Sequence, residues 1–143
     1  MDPKIIEFLD KHRVSCLTTL LKDGSPHGAA LHYSHKSGPF EVFFSTDDVS
    51  VKCEALLEGG STKASVVIGF SEEEWITLQM DGTIEIIRVA EEVKMAQEVH
   101  YAKHPHSAKF KDDPKTVFLK FTPRWWRLTD YNTDPYTIVG SQK

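Results

Sequence analysis

The chain holds two cysteines, Cys16 and Cys53, in 143 residues. That excludes a disulfide-stapled fold and fits no metal-type spacing. The thiols read as buried and free, as in a reducing compartment. No apolar run approaches the ~20 residues of a membrane span, and no basic segment followed by an apolar one opens the chain. The expectation is a cytoplasmic protein with no membrane partner. A basic excess is also missing: the net charge is -4 and the pI about 6.0. Nothing electrostatic therefore points to nucleic acid. There is no Gly-rich dinucleotide pattern and no nucleophile elbow, so a doubly wound sheet and hydrolase chemistry lack support. Internal repeats and low-complexity linkers are absent too.

What is present centres on residues 40–70, FEVFFSTDDVSVKCEALLEGGSTKASVVIGF. The run at 40–45 is aromatic and β-branched and predicts a strand. Thr46, Asp47 and Asp48 are candidate N-caps for a short helix carrying Val49, Cys53 and Leu56 at helical spacing. Gly59-Gly60 can end it in the left-handed region, and residues 63–69 return to strand. Ser45, Thr46, Ser50 and Lys52 would bring hydroxyls, N–H groups and one ammonium to a helix start, where a phosphate can sit. The plainer reading is caps and a solvated lysine, and Asp47 and Asp48 already occupy the positive end of that helix.

Around this stretch the pattern is mostly short strands. Asp2-Pro3 opens a helix with Ile5, Phe8, Leu9 and His12 on one face. Residues 14–21 and 27–34 are strands joined by the turn Lys22-Asp23-Gly24-Ser25, and 35–39 is a second turn. Residues 75–89 give a long strand signal broken at Asp81-Gly82, either a hairpin turn or a bulge. Residues 90–103 are helical until His104-Pro105. Residues 109–114 are a charged loop. Residues 116–122 form a strand that 124–131 continue past Pro123, and the tail from Asn132 is ordered only if it docks. About six strands and three helices favour one mainly β, antiparallel barrel domain over residues 1–143.

Several clusters invite chemistry. His100 and His104 are one helical turn apart, with His106 beyond them, but no metalloprotease Glu follows and Pro105 ends the helix; no metal site is expected. His27, His32 and His35 surround one hairpin, and His27 and His32 fall on opposite strand faces. Trp125-Trp126, flanked by Arg124 and Arg127, is either one core and one interface indole or an aromatic wall beside an arginine.

TTLLKDGSPHGAALHY, FFSTDDVSVKCEALLEGGSTKASVVIGF and WITLQMDGTIEI together resemble the FMN-binding split-barrel family, which includes pyridoxamine 5'-phosphate oxidase. The likeness runs from Val14 to about Arg88 and more loosely to Tyr131. It implies a six-stranded antiparallel split barrel of Greek-key type and a homodimer with flavin at the subunit interface. It also implies FMN-dependent oxidoreductase activity on a small-molecule substrate. Ser45, Ser50 and Lys52 match the family's phosphate clasp, with Thr46 beside them. Thr77 or Gln79 matches the residue at the isoalloxazine edge, His32 a basic position on the second strand, and Trp126 or Trp125 the aromatic lining. Val51 stands where the oxidases have a second basic residue, and RWWRLTDY does not match their substrate motif of paired arginines. Pyridoxamine phosphate oxidation is thus not expected. No general base is evident, so the catalytic residues are unassigned. The alternatives are a non-catalytic module that binds or senses flavin or haem, with His100, His104 and His106 as haem candidates, and a deazaflavin-dependent reductase on the same fold.

Overall fold

A computed structural model describes all 143 residues. Helix α1 (Pro3–Lys11) starts as its sequence predicts: the Asp2 carboxylate accepts from the Lys4 N–H at 2.8 Å, and Pro3 takes the first turn. The helix buries Ile5, Phe8 and Leu9. β1 (Val14–Leu20) and β2 (Pro26–His32) form the expected hairpin, with Leu17 opposite Ala29.

The expected turn at 35–39 is mostly strand. β3 (Ser34–Ser37) pairs with β4 (Phe40–Asp47), and only Gly38-Pro39 turns the chain. The predicted helix after β4 is a 3-10 helix, Val51–Leu56, with Ser50 at its start and no side-chain cap. Val49 and Val51 are β-branched and Gly59-Gly60 follows closely, so the segment lacks the length for α-helical turns. Asp47 caps a turn instead, accepting from the Val49 N–H at 3.0 Å. Gly59 and Gly60 both take positive φ, 97° and 78°.

β5 (Ser61–Ile68) and β6 (Ile76–Ile86) follow, then α2 (Ala90–Lys103), a 3-10 helix (Pro105–Phe110), and β7 (Thr116–Asp130). Asp81-Gly82 is not a hairpin turn. Asp81 lies opposite Trp125 and Gly82 opposite Pro123, which leaves Arg124 as the extra residue of a bulge. A side chain at Gly82 would collide with the Thr122 carbonyl, so the two strands can meet only over glycine here. The bulge also accommodates Pro123, which has no N–H for the ladder.

The tail from Asn132 docks. β8 (Thr137–Ser141) pairs with the second half of β7, and Gly140 lies directly against the Trp126 indole. The count is therefore eight strands rather than six, because β3 and β8 lie in segments read as turn and tail. All pairings are antiparallel, in the order β2-β1-β5-β6-β7-β4-β3 with β8 beside β7. The sheet curls into a split barrel around twenty buried residues, among them Leu17, Phe44, Val66, Leu78 and Phe121. A smaller cluster, Phe43, Ile87, Ala96 and Phe118, lies on the other side of β4 and β7, where α2 packs. No helix is long and apolar enough to cross a membrane.

Tyr33 ties α1 to this frame. Its ring is fully buried and its hydroxyl donates to the Leu9 carbonyl at 2.7 Å. Lys103 Nζ donates to the same carbonyl at 2.7 Å, so removing the phenol leaves the acceptor partnered. Tyr33→Phe should then cost only about 1 kcal/mol in urea unfolding. A loss of several kcal/mol would mean that Lys103 does not hold that carbonyl.

Candidate functional site

The phosphate-side residues gather at the end of β4 and the 3-10 helix after it. Ser45 and Thr46 line a cavity of about 230 Å³ with Asp47, Phe110, Asp113 and Thr116. The two carboxylates there oppose an anion in that particular hollow. Ser50 Oγ reaches only the Cys53 thiol, at 3.5 Å. The Lys52 carbonyl accepts from Thr19 Oγ1 at 3.4 Å, while its ammonium has neither an ion pair nor a hydrogen bond. His32 ends β2 and is exposed. It pairs with Val14 of β1 and lies two residues before the β3–β4 ladder, which begins with Ser34 opposite Phe43.

The ring-side residues lie elsewhere. Leu78 and Met80 point into the core, so Thr77 and Gln79 share the opposite, outward face of β6. Thr77 Oγ1 is already engaged, donating to the Ile68 carbonyl at 3.2 Å. Gln79 Oε1 accepts from the Arg127 guanidinium at 2.9 Å, and the buried Arg127 Nε has no partner. Of the two indoles, Trp126 faces inward: it is 7% exposed and edge-on to Phe40, 5.2 Å between ring centres. Trp125 faces outward. With Thr18, Leu20, Lys63, Asp81 and Arg124 it lines a groove of about 480 Å³ across β1, β5, β6 and β7. Arg124, the bulge residue, is exposed beside it. Lys63 and Asp81 escaped the sequence reading; the Asp81-Gly82 bulge signal was their only marker.

Ser45 and Gln79 do not converge within one chain, whereas Lys52, whose carbonyl meets Thr19 between the groove residues Thr18 and Leu20, lies beside the Trp125 groove. Ser45 lies opposite Phe118 on β7, and Gln79 lies opposite Arg127. Nine residues of strand separate those positions, about 30 Å along β7. The bulge bends the strand and shortens the direct path, yet Ser45 and Gln79 remain on either side of the bend.

The histidines form a third group. His32, His100, His104 and His106 run from core to surface, with ring centres 4.9 Å apart for His100–His104 and His104–His32 and 5.9 Å for His32–His106. His104 Nε2 donates to the Tyr33 carbonyl at 2.7 Å, so its Nδ1 is the acceptor for Arg13 at 3.3 Å. His100 Nδ1 lies 2.9 Å from Ser34 Oγ. Burial lowers both pKa values, and that of His100 falls to about 4, with His104 as the next cause. No three side chains of the metal-ligating types are placed to hold an ion. The nitrogens of His104 are both engaged, which leaves the exposed His32 and His106 as the available imidazoles.

The family model for pyridoxamine 5'-phosphate oxidase matches residues 1–130. The chain belongs to the pyridoxamine 5'-phosphate oxidase family. No curated protein matches the sequence. Among solved structures, a protein related to general stress protein 26 (pyridoxinephosphate oxidase family) from Clostridium acetobutylicum superposes with a TM-score of 0.68 at 19% identity, over 96% of this chain and 92% of that one. A heme binding protein from Mycobacterium smegmatis gives 0.74 at 16%, over 99% of this chain and 59% of that one. A conserved hypothetical protein from Mycobacterium tuberculosis gives 0.71 at 21%, covering 91% and 85%. Identities this low establish a shared fold. Ser45, Thr46, Ser50 and Lys52 are half-buried rather than packed in the core, and all keep access to solvent.

Proposed function

We propose that the chain is an FMN-dependent oxidoreductase acting as a homodimer on a small-molecule substrate. In this reading Ser45, Thr46, Ser50 and Lys52 of one subunit hold the phosphate, with His32 beside them. Thr77, Gln79 and Trp125 of the partner subunit meet the ring. The supporting observation is the separation of Ser45 from Gln79 along β7: each is part of a site, and a two-fold axis supplies the missing part twice.

The residues fit such a ligand. The Lys52 ammonium is unpaired, the Arg127 Nε is buried without a partner, and Gln79 is held in place by Arg127. Bound flavin would supply the electron chemistry. The protein's part would be to clasp the phosphate, to set the ring edge against Gln79, and to shield one ring face with an indole. A free lysine adds one charge-assisted contact, so Lys52→Ala should weaken FMN binding by about 1.5–3 kcal/mol. Fluorescence titration of FMN checks this; an unchanged dissociation constant removes Lys52 from the site. A flavin absorbance that survives desalting of purified protein supports the reading, and a colourless protein that refuses FMN ends it.

Haem is the second reading, favoured by the fold shared with a heme binding protein and by exposed imidazoles at His32 and His106. Geometry counts against His100 and His104 as its ligands, because both are buried and hydrogen-bonded. A Soret band on adding haemin, lost in His32→Ala or His106→Ala, would move the assignment to this ligand.

A further inference from the structure

We propose that the groove beside Trp125 binds a planar aromatic carboxylate, a monoanion of one or two rings. Calling that ligand the substrate rests on the oxidoreductase reading above; the binding itself does not.

Register sets the groove apart from the ring-edge residues. Thr18, Ser65, Asp81 and Trp125 form one row across β1, β5, β6 and β7, and all four line it. Gln79 and Arg127 form the next row on the same outward face and take no part in the lining. Trp125 borders both: the Arg127 guanidinium carbon lies 5.9 Å from its ring centre, and the groove begins at its row. A ligand in the groove would therefore lie beside the ring-edge pair rather than on it.

Arg124 reaches the groove through the bulge. Neighbouring residues of a regular strand face opposite ways. Here Pro123 and Trp126 are buried, and the two residues between them both turn outward, Arg124 exposed and Trp125 half-buried. The extra residue thus places a guanidinium next to an indole on one face, a re-aiming that bulges are used for. An indole wall favours a flat ring against it. The cavity, about 480 Å³, is of the size that takes a small molecule.

Charge at the rim selects the class of ligand. Lys63 and Arg124 are exposed, and neither they nor Asp81 enters an ion pair. Among the lining residues, two cations against one carboxylate leave a single positive charge in excess. A monoanion cancels it. A phosphate monoester, with about two negative charges at pH 7, would set its second charge against Asp81. A guanidinium also meets a carboxylate with two parallel N–H donors.

The test is an NMR titration of 2-naphthoate into the intact, FMN-free protein, following the three indole N–H signals, with neutral 2-naphthamide as the comparison. The Trp125 signal should move furthest and saturate, and the acid should bind more tightly than the amide. Arg124→Gln and Lys63→Gln should each weaken naphthoate binding roughly two- to fivefold, the range of an exposed charge pair. Asp81→Asn should strengthen it. Naphthamide reads the indole wall alone, so its unchanged affinity shows that each variant is folded. A shift centred on Trp75, equal affinities for acid and amide, or weaker naphthoate binding by Asp81→Asn overturns the proposal. FMN separates the two readings. Protein saturated with FMN should still take naphthoate, because the ring-edge row lies outside the groove. If the two exclude each other, the groove is the flavin's own seat and the proposal falls. Protein that takes naphthoate but refuses FMN ends the flavin assignment and upholds this site.

Discussion

Trp126→Ala should cost about 3–5 kcal/mol of stability, whereas its neighbour Trp125→Ala should cost little stability and should instead weaken ligand binding. The two indoles are adjacent in sequence and lie on opposite faces of β7. Trp126 fills the space between Phe40 and the β8 backbone, and Gly140 exists as glycine because any side chain there would meet the indole. Truncation would leave a cavity that Phe40 and β8 cannot both collapse into, so β8 should fray as well. Trp125 instead shares an open groove with Arg124 and Lys63. Urea unfolding of both variants, with FMN titration of each, separates the roles. If Trp125→Ala destabilised the protein as much as Trp126→Ala, the outward placement of Trp125 would be wrong. If Trp126→Ala lost FMN at unchanged stability, the lining indole would be the buried one.

The elements that were legible in the sequence have strong local signals. Asp2-Pro3, the Lys22–Ser25 turn and the His104-Pro105 stop each act through their own backbone, and each lies where it was read. β3 was missed because SHKS carries no hydrophobic alternation; β4 beside it supplies the ladder partner. β8 was missed for a related reason: TIVGS is short, and only the neighbouring edge of β7 makes it a strand. The choice between turn and bulge at Asp81-Gly82 was open because both use the same dipeptide. What decides it is Arg124, 42 positions on, which no local reading can weigh. The candidate site was legible as residue types and illegible as a place. Ser45, Ser50, Lys52, Thr77 and Gln79 are close enough in sequence to suggest one pocket. The sheet inserts β7 between β4 and β6 and sends Ser45 and Gln79 toward its opposite ends.

That division also bears on the charge of the clasp. Within one subunit the phosphate group has Lys52 alone, with Val51 beside it and Asp47 and Asp113 nearby. The outward face near Trp125 carries Lys63, Arg124 and Arg127 against Asp81. A chain that is acidic as a whole thus places three cations without ion pairs on the face that a second copy could bring to the first. Salt should then weaken FMN binding more than a single lysine contact accounts for.

Gly69→Ala should be among the most damaging single-methyl changes in the protein, costing about 3 kcal/mol or more, since strain at φ > 0 and a steric collision each contribute roughly 1–3 kcal/mol. Gly69 follows β5 at φ 97°, where the chain leaves the sheet for the loop into β6. A methyl group there would collide with the Ile76 carbonyl. It would also lie 3.0 Å from Phe8 Cζ and 3.1 Å from Thr77 Cα. None of these can give way cheaply. The carbonyl belongs to the first residue of β6, and Phe8 is buried at the centre of the α1 contact with the core. The substitution therefore presses on the start of β6 and on the packing of α1 at once. Gly24 is the control: its φ is also positive, 84°, but nothing lies within 4 Å of an added methyl group, so Gly24→Ala bears the backbone strain alone. Thermal unfolding of the two variants should rank Gly69→Ala well below Gly24→Ala. Equal losses would mean that the collision at the β5–β6 corner is relieved by backbone movement, and that Phe8 does not fix α1 against this end of the barrel.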